Sequence, residues 1–120
     1  MAKILIVDDE AQFRRVLHLA LGARGYDIRE AANGDDALKL MQNEPLDLIL
    51  VDWLMPGMDG FALCRAIRTE SNVPIILISS RQDGRSAAVA AGADDYVKKP
   101  FAVDELLTRI SSALRTSHHD

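Results

Sequence analysis

Asp8 and Asp9, Asp52, Ser79 and Ser80, and Lys98 and Lys99 are the side chains of this sequence whose types could do chemistry together. Three carboxylates held close together repel one another, and such a group persists at neutral pH only with a retained proton or a bound cation. Mg²⁺ suits it, as a hard ion that takes oxygen ligands and keeps several waters. A hydroxyl and an ammonium beside the cluster could hold the oxygens of an incoming phosphoryl group. Asp52 lies centrally enough to be the nucleophile. Each of these residues ends or directly follows a run that reads as a β-strand, so the strands must bring them together.

Ile4 to Val7, Leu48 to Val51 and Ile75 to Ile78 are continuously apolar, the pattern of strands covered on both faces. Asp27 to Ala31 and Asp94 to Val97 are shorter or more polar, as edge strands are. Between them the apolar residues recur at helical spacing: Phe13, Val16, Leu17, Ala20 and Leu21; Ala37, Leu38 and Met41; Phe61, Cys64 and Ile67; a short alanine-rich stretch from Ser86 to Ala91; and Val103, Leu106, Leu107, Ile110 and Leu114. Strand and helix thus alternate five times. Right-handed crossovers then give a parallel sheet with helices on both faces. Placing the two polar strands at the edges gives the order 2-1-3-4-5, a flavodoxin-like doubly wound α/β fold whose ligand crevice lies at the carboxyl ends of the strands.

At 120 residues with 48% hydrophobic content the chain builds one core. Its net charge of −4 argues against direct nucleic-acid binding by this segment. The four apolar residues before Asp8 are too few for a signal-peptide core, and no run approaches a membrane span. Cys64, the single cysteine, excludes an internal disulfide, reads as a buried packing thiol and fits a cytoplasmic location.

VDDE at Val7 to Glu10, DWLMPGMDG at Asp52 to Gly60, Ser79 after the fourth strand and GADDYVKKPF at Gly92 to Phe101 closely resemble the receiver domain of two-component response regulators. The resemblance spans essentially the whole chain, with residues 1–116 as the receiver and 117–120 as a tail or the start of a linker. It implies that Asp52 is the phosphoacceptor, fed by a histidine kinase, a phosphotransfer protein or a small acyl phosphate. It implies Mg²⁺ held by Asp9, Asp52 and the backbone carbonyl of Leu54, with Asp8 acting through water. Lys99 would pair with phosphoryl oxygens, and its bond to Pro100 would be cis. Ser79 resembles the switch hydroxyl and Tyr96 the aromatic that rotates inward when that hydroxyl moves, reshaping the face of the fourth helix, fifth strand and fifth helix. Similarity to winged-helix, OmpR/PhoB-like transcription factors implies a homodimer on that face through Arg85, Asp94, Asp95, Glu105 and Arg109.

Simpler readings compete at single positions. An acidic pair after a strand is usually a solvated turn, Asp59 reads as a helix cap, Trp53 as a partly exposed neighbour of the site, and His118 and His119 as part of a terminus. A Mg²⁺-dependent phosphatase with a strand-end aspartate typically needs a second aspartate where this chain has Leu54. A flavin or nucleotide binder would need a glycine-rich loop where Asp8 and Asp9 stand. The receiver reading makes the chain a catalyst only of its own phosphoryl transfer, with slow self-dephosphorylation, since hydrophobic Leu54 cannot orient a water. By the same resemblance, the stretch between Ser79 and Lys99, which contains Gly84, is about two residues short for the family.

Overall fold

The apolar runs become inner strands because neither of their faces can be left to water. In the computed structural model, which describes residues 1–55 and 58–117 and only the backbone at positions 54, 55, 58 and 117, one parallel sheet carries the chain. Its strands are β1 (Lys3–Val7), β2 (Asp27–Ala31), β3 (Leu48–Asp52), β4 (Ile75–Ser79) and β5 (Asp95–Lys98), in the order β2-β1-β3-β4-β5. The five helices are α1 (Ala11–Gly22), α2 (Gly34–Asn43), α3 (Gly60–Arg68), α4 (Gly84–Ala91) and α5 (Val103–Ser117). The expected 2-1-3-4-5 flavodoxin-like arrangement is the one observed.

Alternation along the inner strands divides the core. Leu5, Val7, Ile49, Val51 and Leu77 pack with Ala37, Leu63, Ile67 and Ala88 of α2, α3 and α4, whereas Ile4, Ile6, Leu48, Leu50 and Ile76 pack with Leu17, Leu21, Leu106 and Ile110 of α1 and α5. Each buried Leu, Ile or Val among them contributes about 1.5–3 kcal/mol. The register then aligns the carboxyl ends: Val7 pairs with Val51, Asp52 with Ile78, and Ser79 with Lys98. After β3, Leu54–Met55 pairs antiparallel with Met58–Asp59 in a two-residue ribbon. Asp59 then caps α3, its Oδ1 accepting from the amides of Phe61 (2.9 Å) and Ala62 (3.2 Å).

The elements depart from the sequence reading in three places. Strand β5 begins at Asp95 rather than Asp94, because the Asp94 carboxylate turns back to accept the Ile75 amide (2.8 Å) and pair with Arg68 (2.5 Å). Helix α4 begins at Gly84, two residues before the alanine pattern, since its first turn carries no apolar signal. Val16 is 57% exposed, and Val103 is exposed as well. Leu17 and Leu21 fill the buried stripe of α1, and Val16, one residue back, lies 100° around the helix from Leu17, past the border of that stripe.

Candidate functional site

Asp52 ends β3 only 6% exposed, and a carboxylate so buried needs a cation. Lys99 Nζ donates to its Oδ2 at 2.6 Å. Lys99 is positioned from two sides: its amide donates to the Ser79 carbonyl (2.9 Å), and its ammonium lies 4.7 Å from the Phe13 ring centre. The Lys99–Pro100 peptide is cis. Lys98, by contrast, is exposed.

Asp8, at the end of β1, is 1% exposed. Its Oδ1 accepts from the Glu10 amide at 2.8 Å, while its Oδ2 is buried with no donor. Burial pushes this carboxyl up to about 6; the Glu10 amide opposes the rise, and the neighbouring Asp52 charge adds to it. A partnerless oxygen beside a second carboxylate is a place for a proton or a cation. Asp9 stands exposed on the same turn. Among the described residues no three His, Cys, Asp or Glu side chains already close around a metal-sized point. Two adjoining carboxylates with a third at the mouth fit an ion that retains waters better than one stripped of them. Leu54 enters the ribbon after Trp53, and its side chain lies outside the described residues, as do His118 and His119.

Ser79 is fully buried, its Oγ accepting from the Arg81 amide at 3.0 Å. Tyr96 is also buried, its hydroxyl shared between the carbonyls of Ser79 (3.0 Å) and Arg81 (3.1 Å). Tyr96 is thus inward, with Ser79 Oγ accepting from the amide of its own loop.

The profile of the response regulator receiver domain matches residues 4–111 of the chain. The chain belongs to the response regulator receiver family. It is 44% identical over 115 residues to the probable transcriptional regulator ycf27 of Porphyridium aerugineum, covering 94% of this chain and 48% of that protein. The transcriptional regulatory protein ResD of Bacillus subtilis (strain 168) matches with the same identity and coverage. The receiver thus spans about half the length of the curated relatives it matches. The receiver domain of the TMAO respiratory response regulator TorR superposes with a TM-score of 0.90 at 37% identity, over 97% of this chain and 98% of that one. The response regulator TrrA of Thermotoga maritima, solved with Mg²⁺-BeF, superposes at 0.86 with 37% identity, over 94% and 99%. A receiver of this kind is a signalling module and not an enzyme in the ordinary sense.

Of the residues expected on the dimer face, Asp95 accepts from Arg109 (2.9 Å), Arg109 lies 3.8 Å from Glu105, Arg85 covers the Tyr96 ring at 5.7 Å, and Asp94 is tied to α3 as described. The receiver also holds two sets of contacts that the sequence reading missed. Arg14 donates to the Asp8 carbonyl (2.6 Å) and to Glu30 (2.7 Å), which His18 meets at 2.5 Å. The available signal was a basic pair at i, i+4 beside the apolar stripe of α1. Arg81 stacks 4.3 Å from the centre of the half-buried Trp53 ring and pairs with Asp83 (2.9 Å), a contact between loops that no spacing announces. Burial pushes the Cys64 thiol up to about 12, so this cysteine is a packing residue. No helix among the described residues is long and apolar enough to cross a membrane.

Proposed function

We propose that this receiver takes a phosphoryl group on Asp52 from a histidine kinase or phosphotransfer protein in a Mg²⁺-dependent reaction, and transmits the change through α4, β5 and α5. The observation that carries the reading is the triangle of buried Asp52, Lys99 at 2.6 Å and the donorless Oδ2 of Asp8. Asp9, Asp52 and the Leu54 carbonyl, with Asp8 through water, would hold the ion, which when bound supplies positive charge against the phosphoryl and carboxylate oxygens. An Asp52 oxygen forms the new bond to phosphorus as the bond to the donor imidazole breaks, and the Lys99 ammonium holds oxygens of the arriving group. The Ser79 hydroxyl, which accepts from Arg81, still has a hydrogen to donate toward that group.

Beside Lys99, the exposed side chains of Val16 and Val103 join Phe13, Pro100 and Phe101 around an almost wholly apolar recess, a surface on which a donor protein can rest while its phosphohistidine reaches Asp52. On phosphorylation, the intrachain pairs of Arg109 with Asp95 and Glu105 would exchange for pairs across a homodimer. The receiver spans residues 1–116, with 117–120 a tail or linker; it works in the cytoplasm, and DNA contact is left to other segments. Self-dephosphorylation is slow, and a phosphoryl lifetime of only seconds would contradict the role given to Leu54. Trp53, adjoining Asp52, reports the central reading directly. Beryllofluoride with Mg²⁺ is expected to change its fluorescence saturably, and a flat response in both wild type and Asp52→Asn would count against the site.

A further inference from the structure

Tyr96 owes its inward place to a residue with no side chain. A Cβ on Gly84 would stand 2.2 Å from Tyr96 Oη, 2.3 Å from Cζ and 2.5 Å from Cε1. These separations are far inside contact distance, so only a hydrogen at position 84 leaves the notch that the ring occupies. Gly84 is buried at the first turn of α4, and its amide donates to the Arg81 carbonyl at 3.3 Å. The Tyr96 hydroxyl reaches that same carbonyl and that of Ser79, so one seated ring ties together both ends of the turn that carries Ser79. Moving the ring out would leave these carbonyls with only the Gly84 and Lys99 amides as donors and empty the notch.

The glycine also breaks a local rule. Glycine weakens a helix relative to alanine, and nothing in the backbone at position 84 demands it, since positive φ occurs at Gly25 and Gly92 instead. A residue unfavourable to its own element is explained by what it makes room for. The connection that appears short in the sequence is the one that brings the start of α4 against the β5 tyrosine.

We infer that Gly84 is a positioning residue: by leaving a notch at the start of α4 it seats Tyr96 inward in the unphosphorylated chain, so the Ser79 turn and the adjoining surface of α4 and β5 are set before any phosphoryl group arrives. The inference rests on the receiver reading only for its consequence; the seating itself requires no phosphoryl transfer.

The test is a double-mutant cycle on the full chain, with ¹⁹F NMR of fluorotyrosine-labelled protein. The two tyrosines occupy opposite cores, so Tyr26 serves as the internal reference. The Tyr96 resonance is expected to be of the buried type without phosphorylation and to stay in place when Mg²⁺ and beryllofluoride are added. Gly84→Ala moves it toward the exposed position and lowers Tm; in a Tyr96→Ala background the same substitution leaves Tm unchanged or raises it, because alanine is the better helix former. If Gly84→Ala alone does not fold, recovery of folding by Tyr96→Ala gives the same support. An exposed-type Tyr96 that becomes buried only with beryllofluoride would overturn the inference, as would equal damage by Gly84→Ala in both backgrounds. A protein that never binds beryllofluoride would defeat the phosphoacceptor reading and still report where Tyr96 sits.

Discussion

Replacing Asp8 by asparagine is expected to stabilise the metal-free protein at neutral pH. Asp8 is buried, and its carboxyl is raised from an ordinary 3.8 to about 6. At about 1.4 kcal/mol per pKa unit that rise corresponds to about 3 kcal/mol. Because the folded value lies above the unfolded one, the protonated acid contributes stability that is complete below about pH 4 and lost as pH rises through about 6. Asparagine carries no charge to desolvate, can keep its Oδ1 on the Glu10 amide, and brings an N–H₂ where Oδ2 faces Asp52 without a donor. Asp8→Asn should therefore match wild type near pH 4, gain through pH 4–6, and remain about 1–3 kcal/mol more stable above pH 7. Urea unfolding across that range without divalent ions measures the difference, and Mg²⁺ should narrow it by stabilising wild type more. A variant less stable than wild type at pH 7.5 in the absence of Mg²⁺ would refute the reasoning about a strained, donorless carboxylate.

Two further substitutions test the groups on either side of Asp52. Lys99→Met removes its buried cation, and because the lysine is itself 29% exposed the expected cost is about 1–2 kcal/mol at pH 7 by urea unfolding, together with phosphorylation slowed about a hundredfold; unchanged phosphorylation would remove Lys99 from the site. Arg14→Ala releases the Asp8 carbonyl and leaves Glu30 with only His18, so Mg²⁺ affinity followed through Trp53 fluorescence should weaken severalfold, with about 1 kcal/mol lost in stability; Mg²⁺ binding as tight as in wild type would make Arg14 purely structural.

The sheet was legible because continuous apolar runs at Ile4 to Val7, Leu48 to Val51 and Ile75 to Ile78 admit no reading but strands covered on both sides. Their ends then brought Asp8, Asp52, Ser79 and Lys99 to one rim without any knowledge of side-chain contacts. Features set by pairwise geometry did not show in the residue order. The exposure of Val16 depends on where α1 lies across the sheet, and the start of α4 depends on a turn whose hydrogen bonds involve carbonyls. The inward Tyr96 follows from a glycine that in sequence reads only as a break. Asp94 is expected from the sequence at the start of the fifth strand and on a dimer face; that its carboxylate also holds the start of β4 is visible only once β4 and β5 are adjacent.

Intact-mass spectrometry after incubation with a small acyl phosphate, with and without Mg²⁺, on the wild type and on Asp52→Asn, tests the central claim most directly. The account predicts the gain of one phosphoryl group that requires Mg²⁺ and is absent from the variant. A gain that persists in Asp52→Asn, or none in the wild type under any condition, would contradict it.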